Sequence, residues 1–168
     1  SLELAIDAEG KFLAMRADNI SNIGAYTLSF TPLSKGCEIV TGGYAIPCAC
    51  VRARGVFSHT VPTNPSRSAG RPEVLYALER LVDTAAAEIG MDRVEIRRRN
   101  LVTTEAMPFA NPLGMTYDSG EYHHTLDRAL EITDWVGFAG RRAASEARGL
   151  KRGLGISSYI ESSSGAPR

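Results

Sequence analysis

A small-residue loop, Ser66-Arg67-Ser68-Ala69-Gly70, runs through Arg71 into a segment that opens on proline, and this junction constrains the fold more than any other stretch of the chain. Past it, Val74, Leu78, Leu81, Val82, Ala85 and Ile89 recur at helical spacing. Pro72 has no N–H to lose in a first turn, and Glu73 complements the positive end of a helix dipole. Gly90 stands where a C-terminal cap belongs. The spacing predicts a helix over 72–89. Small side chains at Ser68, Ala69 and Gly70 let backbone amides approach a ligand or another piece of chain.

The remaining elements arrange themselves around that helix. Leu2, Leu4 and Ile6 alternate, Glu9-Gly10 makes a turn and 12–20 continues extended, so the chain opens on a hairpin. Residues 22–37, rich in Gly, Ser, Thr and Pro, read as a loop with room for a short helix. Residues 46–60 read as one long strand, bent at Gly55, and the helix over 72–89 is expected to pack on it as the core. Asp92 followed by Glu95 resembles a capping box for a second helix that ends near Asn100. Pro108, Asn111-Pro112 and Ser119-Gly120 mark 103–120 as ordered loop. Helices are expected over 122–133, with Leu126, Ala129 and Leu130 inward, and over 136–148, polar on most faces. A return to strand is expected over 153–162, with a frayed end at Ser162-Ser163-Ser164.

Composition narrows the partners. The 168 residues are 43% hydrophobic and 23% charged, with a formal net charge of zero, which gives no reason to propose nucleic acid. No apolar run approaches the roughly 20 residues of a membrane span. Three cysteines cannot pair fully within one chain. Cys48 and Cys50, two apart on a strand, make a poor bridge and a poor zinc site. They read as buried thiols in a reducing compartment, the cytoplasm.

The run from Gly70 to Leu101 resembles the large, molybdenum-cofactor-binding subunit of the xanthine dehydrogenase / aldehyde oxidase / aerobic carbon monoxide dehydrogenase family. Leu4 to Gly10 resembles that family's upstream hairpin, Tyr44-Ala45-Ile46-Pro47 its Tyr-x-Ile-Pro strand entry, and Tyr117-Asp118-Ser119-Gly120-Glu121-Tyr122 its Tyr-Asp-Ser-Gly-[Asp/Glu]-Tyr. The fold expected is α/β of the α+β type: a curved, mainly antiparallel sheet with helices packed on it, part of a molybdopterin-binding domain. Residues 1–168 would be one partial domain excised from a larger subunit, since the chain starts inside a hairpin without methionine.

The resemblance implies that Ser66, Arg67, Ser68, Ala69 and Gly70 lie beside a molybdopterin cofactor, with Arg67 fixing the loop through guanidinium hydrogen bonds. It implies a parent that oxidises an aldehyde or N-heterocycle with water as oxygen source. Electrons would pass to iron–sulfur and flavin domains or subunits, and the remaining segments of the same subunit would complete the site. The departures matter. Carbon monoxide dehydrogenases of this family carry a copper-holding cysteine at the position of Ser68, a hard donor unsuited to Cu(I). Xanthine-type enzymes place phenylalanine where Ala69 stands, and the family's usual aromatic is lost at Ser66. The family's Gly-Gly-Gly-Phe-Gly segment, its Gln-Gly contact and its carboxylate base are not in this chain. The fragment alone is therefore expected to hold no catalytic residue, no metal ligand, no cofactor and no activity. A non-catalytic domain that keeps the fold but has lost the site is the alternative, toward which Ser66 and Ala69 lean. His59, His123 and His124 lack carboxylate or cysteine neighbours at ligand spacing and read as structural or surface residues, and Arg97-Arg98-Arg99 as partners of Glu88, Glu95 or a neighbouring domain.

Overall fold

Strands β1 (Leu2–Ile6) and β2 (Phe12–Gly24) form the expected hairpin in the computed structural model, which describes residues 1–161. Its turn is organised by Asp7, whose Oδ1 accepts from the backbone N–H groups of Glu9 and Lys11 at 3.1 and 2.7 Å. Alternation sends Leu2, Leu4 and Ile6 inward from β1, and Phe12, Met15 and Ala17 into the core from β2.

Strand β3 (Ala49–Phe57) joins the other edge of β2, from Met15↔Ala49 to Gly24↔Phe57, and this pairing is parallel. The mixed α/β class stands, but the longest pairing in the three-stranded sheet β1-β2-β3 corrects the expectation of a mainly antiparallel one. The cause lies in the connection. Residues 25–48 leave room for a crossover containing helix α1 (Thr31–Glu38), and a crossover of this length lets a strand return in the same direction.

Helix α2 (Arg71–Glu88) buries Leu75, Leu78, Val82, Ala85 and Ala86. It ends in a glycine cap: Gly90 has φ 67°, Met91 N–H donates to Ala86 O at 2.8 Å, and Gly90 N–H to Ala87 O at 3.3 Å. It packs on β1, α1 and helix α3 (Arg93–Asn100), while β3 leans on β2 and α1. The core is thus centred on α2, α3 and the first hairpin and not, as expected, on α2 against β3. Every β3 residue from Arg52 to Phe57 is exposed. Cys48 and Cys50 are exposed as well, and Cys37 is half-buried, because the alternation that points to one face of a strand does not say whether that face is covered.

Asp92 caps α3 as anticipated, accepting from Val94 and Glu95 N–H at 2.8 and 3.0 Å. At the other end, buried Asn100 ties the helix to the hairpin. Its Oδ1 accepts from Phe12 N–H at 2.8 Å, and its Nδ2 donates to Gly10 O and Ile96 O, each at 2.8 Å. The Phe12 and Tyr44 rings meet edge to face at 5.3 Å.

The ordered loop over 103–120 contains a small hairpin, β4 (Phe109–Ala110) with β5 (Thr116–Tyr117), and Tyr117 donates to Gly42 O at 2.7 Å. Helices α4 (Tyr122–Ile132) and α5 (Phe138–Glu146) follow. Leu126 is buried and Leu130 half-buried, whereas Ala129, expected inward, is exposed. The strand expected over 153–162 is extended chain without a ladder. Leu154, Ile156, Ser158 and Ile160 still turn inward alternately. Arginines take two of its carbonyls: Arg93 donates to Leu154 O at 3.4 Å and Arg97 to Ile156 O at 3.3 Å. The end at Ser162-Ser163-Ser164 lies outside the described residues. Among the described residues no helix is long and apolar enough to cross a membrane.

Candidate functional site

The loop before α2 has an unusual backbone. Ser68, Ala69 and Gly70 take φ of 56°, 41° and 90° in succession, a left-handed stretch in which two residues carry a Cβ. Such strain persists only where the surroundings hold it. Arg71 N–H closes the turn on Ser68 O at 3.3 Å, and Val74 N–H reaches Gly70 O at 3.4 Å. From below, α1 fixes its position. A Cβ on Gly70 would stand 1.7 Å from Pro32 O, and one on Gly36 would stand 2.8 Å from Gly70 O. Loop and helix meet backbone to backbone, which only glycine permits.

The turn sits at the positive end of α2, whose Ncap residue, Gly70, offers no side chain to cap it. No described residue accepts a hydrogen bond from the N–H groups of Ala69 or Gly70. Ser66 and Arg67 are exposed, Ser68 and Ala69 half-buried, and Gly70 buried. By its donors, this set fits a group rich in hydrogen-bond acceptors, such as an anionic or oxo-bearing ligand.

The extended segment closes over the turn from the other side. Ser68 Oγ lies 3.1 Å from Tyr159 Oη, Tyr159 donates to Glu161 Oε2 at 2.5 Å, and Glu161 forms an ion pair with Arg71. The guanidinium that fixes the loop is therefore Arg71's. Arg67, to which that role was assigned, is exposed and has no partner among the described residues. Sequence reasoning missed Tyr159 and Glu161. The inward-outward alternation was legible, but nothing in it points to residues some ninety positions away.

A buried polar cluster anchors the same segment. Tyr44 donates to Glu79 Oε1 at 2.6 Å, Arg97 Nε to Glu79 Oε2 at 2.9 Å, and Arg97 Nη1 to Asp83 Oδ1 at 2.8 Å. Arg97 is fully buried and Glu79 nearly so. Burial, together with the neighbouring Glu79 carboxylate, pushes the Tyr44 phenol well above its usual range, so it stays protonated and donates. The basic cluster thus splits three ways: Arg97 inward, Arg98 to Asp127 at 2.5 Å and Arg99 to Glu95 at 2.7 Å.

His59 and His124 are exposed, and His123 Nε2 lies 2.9 Å from Arg98 O. Among the described residues no three His, Cys, Asp or Glu side chains group as metal ligands.

Comparison with known proteins follows the same geometry. The profile of the molybdopterin cofactor-binding domain family matches residues 1–101. The chain is 36% identical over 162 residues to the 6-hydroxypseudooxynicotine dehydrogenase complex subunit gamma of Paenarthrobacter nicotinovorans, covering 92% of this chain and 20% of that one. It is 31% identical over 167 residues to the carbon monoxide dehydrogenase large chain of Hydrogenophaga pseudoflava, covering 95% and 21%. Quinoline 2-oxidoreductase from Pseudomonas putida 86 superposes with a TM-score of 0.80 at 33% identity, over 88% of this chain and 19% of that one. The chain spans about a fifth of the length of these relatives.

Proposed function

This chain belongs to the molybdopterin cofactor-binding domain family, and we propose that it forms part of the cofactor site of a molybdenum hydroxylase large subunit. The parent would oxidise an aldehyde or N-heterocycle, working in the cytoplasm with iron–sulfur and flavin domains or subunits. The observation that carries this reading is the left-handed turn Ser68–Ala69–Gly70 at the start of α2, whose Ala69 and Gly70 amides have no acceptor among the described residues.

Ala69 and Gly70 N–H groups would donate to acceptor oxygens of the cofactor, aided by the α2 dipole. Gly70 and Gly36 let that turn seat directly on α1, so the donors are held before any ligand arrives. Exposed Arg67 adds a cation beside them. When bound, molybdopterin with its molybdenum supplies two-electron oxidation of an electron-poor carbon, with water providing the oxygen. Ser68, where the resemblance puts a copper-holding cysteine in carbon monoxide dehydrogenases, turns the reading away from carbon monoxide. The relatives named for 6-hydroxypseudooxynicotine and quinoline support an N-heterocyclic substrate class.

The test is metal analysis of the full-length protein co-expressed with its partners, followed by turnover of a panel of aldehydes and N-heterocycles. Stoichiometric molybdenum with turnover of at least one compound is expected. Full-length protein that folds with its partners but holds no molybdenum would sink the proposal in favour of a domain that has kept only the fold.

A further inference from the structure

The contacts of the extended segment go beyond packing, and we propose that Tyr159 and Glu161 are positioning residues that hold the amide-bearing turn in shape and dictate how Ser68 meets a ligand. The first part follows from the strain. Two non-glycine residues in succession at positive φ need external restraint, and α1 restrains the turn on one side only. On the other side Glu161 holds Arg71 at the turn's last residue, while Tyr159 reaches Ser68 at its first. The two ends of the turn are thus tied to residues two apart on one extended segment. Arg93 and Arg97 hold that segment in turn, through the carbonyls of Leu154 and Ile156.

The second part follows from counting protons. A phenol has one hydrogen, and Tyr159 gives it to Glu161 Oε2 at 2.5 Å. In the 3.1 Å contact the donor must then be Ser68, whose only proton is committed to Tyr159 Oη. Ser68 is left with lone pairs alone. To anything lying over the turn it presents an acceptor, next in the chain to the Ala69 and Gly70 amides on one side and to Arg67 on the other. With the Ala69 and Gly70 amides turned to acceptors of the cofactor, a ligand that fits beside it presents an N–H or O–H donor to Ser68. A heterocycle bearing a ring N–H or hydroxyl meets that demand, and an all-acceptor ring edge does not. This assignment rests on the cofactor reading above, so its experiment keeps the two apart.

In the full-length protein with its partners, hydrogen–deuterium exchange of peptides covering 66–75 would be compared for wild type, Tyr159→Phe and Glu161→Gln, with peptides covering 78–86 as internal control. Glu161→Gln removes a charge-assisted bond and should speed exchange of the Arg71 and Val74 amides, which donate to Ser68 O and Gly70 O, by about tenfold or more, with the control unchanged. Tyr159→Phe frees the Ser68 proton. It should narrow the preference between a ring N–H substrate and its N-methyl analogue, read as the ratio of their KM values, whereas a purely structural loss would lower the loaded fraction and so the maximal rate while leaving that ratio unchanged. Unchanged exchange of the Arg71 and Val74 amides in both variants overturns the clamp. An unaltered N–H preference in Tyr159→Phe overturns the assignment of Ser68. A molybdenum-free wild type would instead defeat the cofactor reading, while the exchange comparison still decides the clamp.

Discussion

Replacing Arg97 by methionine keeps an unbranched chain in the same space but removes the guanidinium shared by Glu79 and Asp83. Arg97 is fully buried, and Glu79 Oε2 has its 2.9 Å bond from Arg97 Nε, with Oε1 held separately by Tyr44 at 2.6 Å. The variant leaves a buried carboxylate with only a phenol for company, and it strips a donor from the carbonyls of Arg93, Glu79 and Ile156. Breaking a buried ion pair from one side costs about 3–5 kcal/mol. That is a large part of the roughly 5–15 kcal/mol that keeps an ordinary domain folded. Arg97→Met combined with Glu79→Leu removes both charges and should recover much of the loss, giving a coupling on the order of 1–3 kcal/mol. Urea unfolding followed by circular dichroism measures all three variants against wild type, with unchanged slopes as the control for two-state behaviour. A cost below about 1 kcal/mol for Arg97→Met would show that water reaches Glu79 and that the cluster is not a buried one.

Three further outcomes are expected. Leu78→Ala, at a fully buried position on α2, should cost about 2–5 kcal/mol in the same urea assay, and a loss within the roughly 0.5 kcal/mol of a surface change would contradict the packing described. Ala69→Gly relieves a Cβ at φ 41° and should stabilise by about 0.5–1 kcal/mol after the added chain entropy is subtracted; a measured loss would mean the methyl packs. Hydrogen bonds from Arg54 and Arg98 hold the carboxyls of Asp18 and Asp127 below their usual range. Because the folded values are depressed, the stability they add is present above about pH 3.9 and is lost as pH falls through the lowered values. Asp18→Asn with Asp127→Asn should flatten the acid limb of the urea midpoint, and high salt should shrink the wild-type limb toward it, since both groups face solvent.

Local chemistry was legible where one residue decides it. The span 72–89, set by Pro72 and Gly90, matches α2 within a residue at each end, and Asp92 with Glu95 announces α3. The loop Ser66–Gly70 was legible as small residues leading into a proline-opened helix, and its place beside a cofactor came from the family resemblance. Orientation and coverage were not legible. Whether β3 returns parallel depends on what the crossover packs against, and whether Cys48 and Cys50 face protein or water depends on a layer that alternation does not report. Arg97 was read with its two neighbours as a partner of Glu88, Glu95 or a neighbouring domain, because helical periodicity places it without saying that Glu79 waits opposite, eighteen residues earlier. The clasp from Tyr159 and Glu161 was invisible for the same reason, at five times the separation.

The contact between Ser68 and Tyr159 spans 91 residues, and this has a consequence for how the polypeptide is made. Ribosomes extend chains at roughly 5–20 residues per second, so the turn emerges roughly 5–20 s before the residue that clasps it. During that interval the first hairpin, α1 and α2 can already assemble, while Ser68 and Ala69 are free to relax out of their left-handed conformation. The turn can therefore be clasped only after Tyr159 has been made, and ribosome pausing upstream of Tyr159 would prolong the period in which this face of the nascent protein is unfinished.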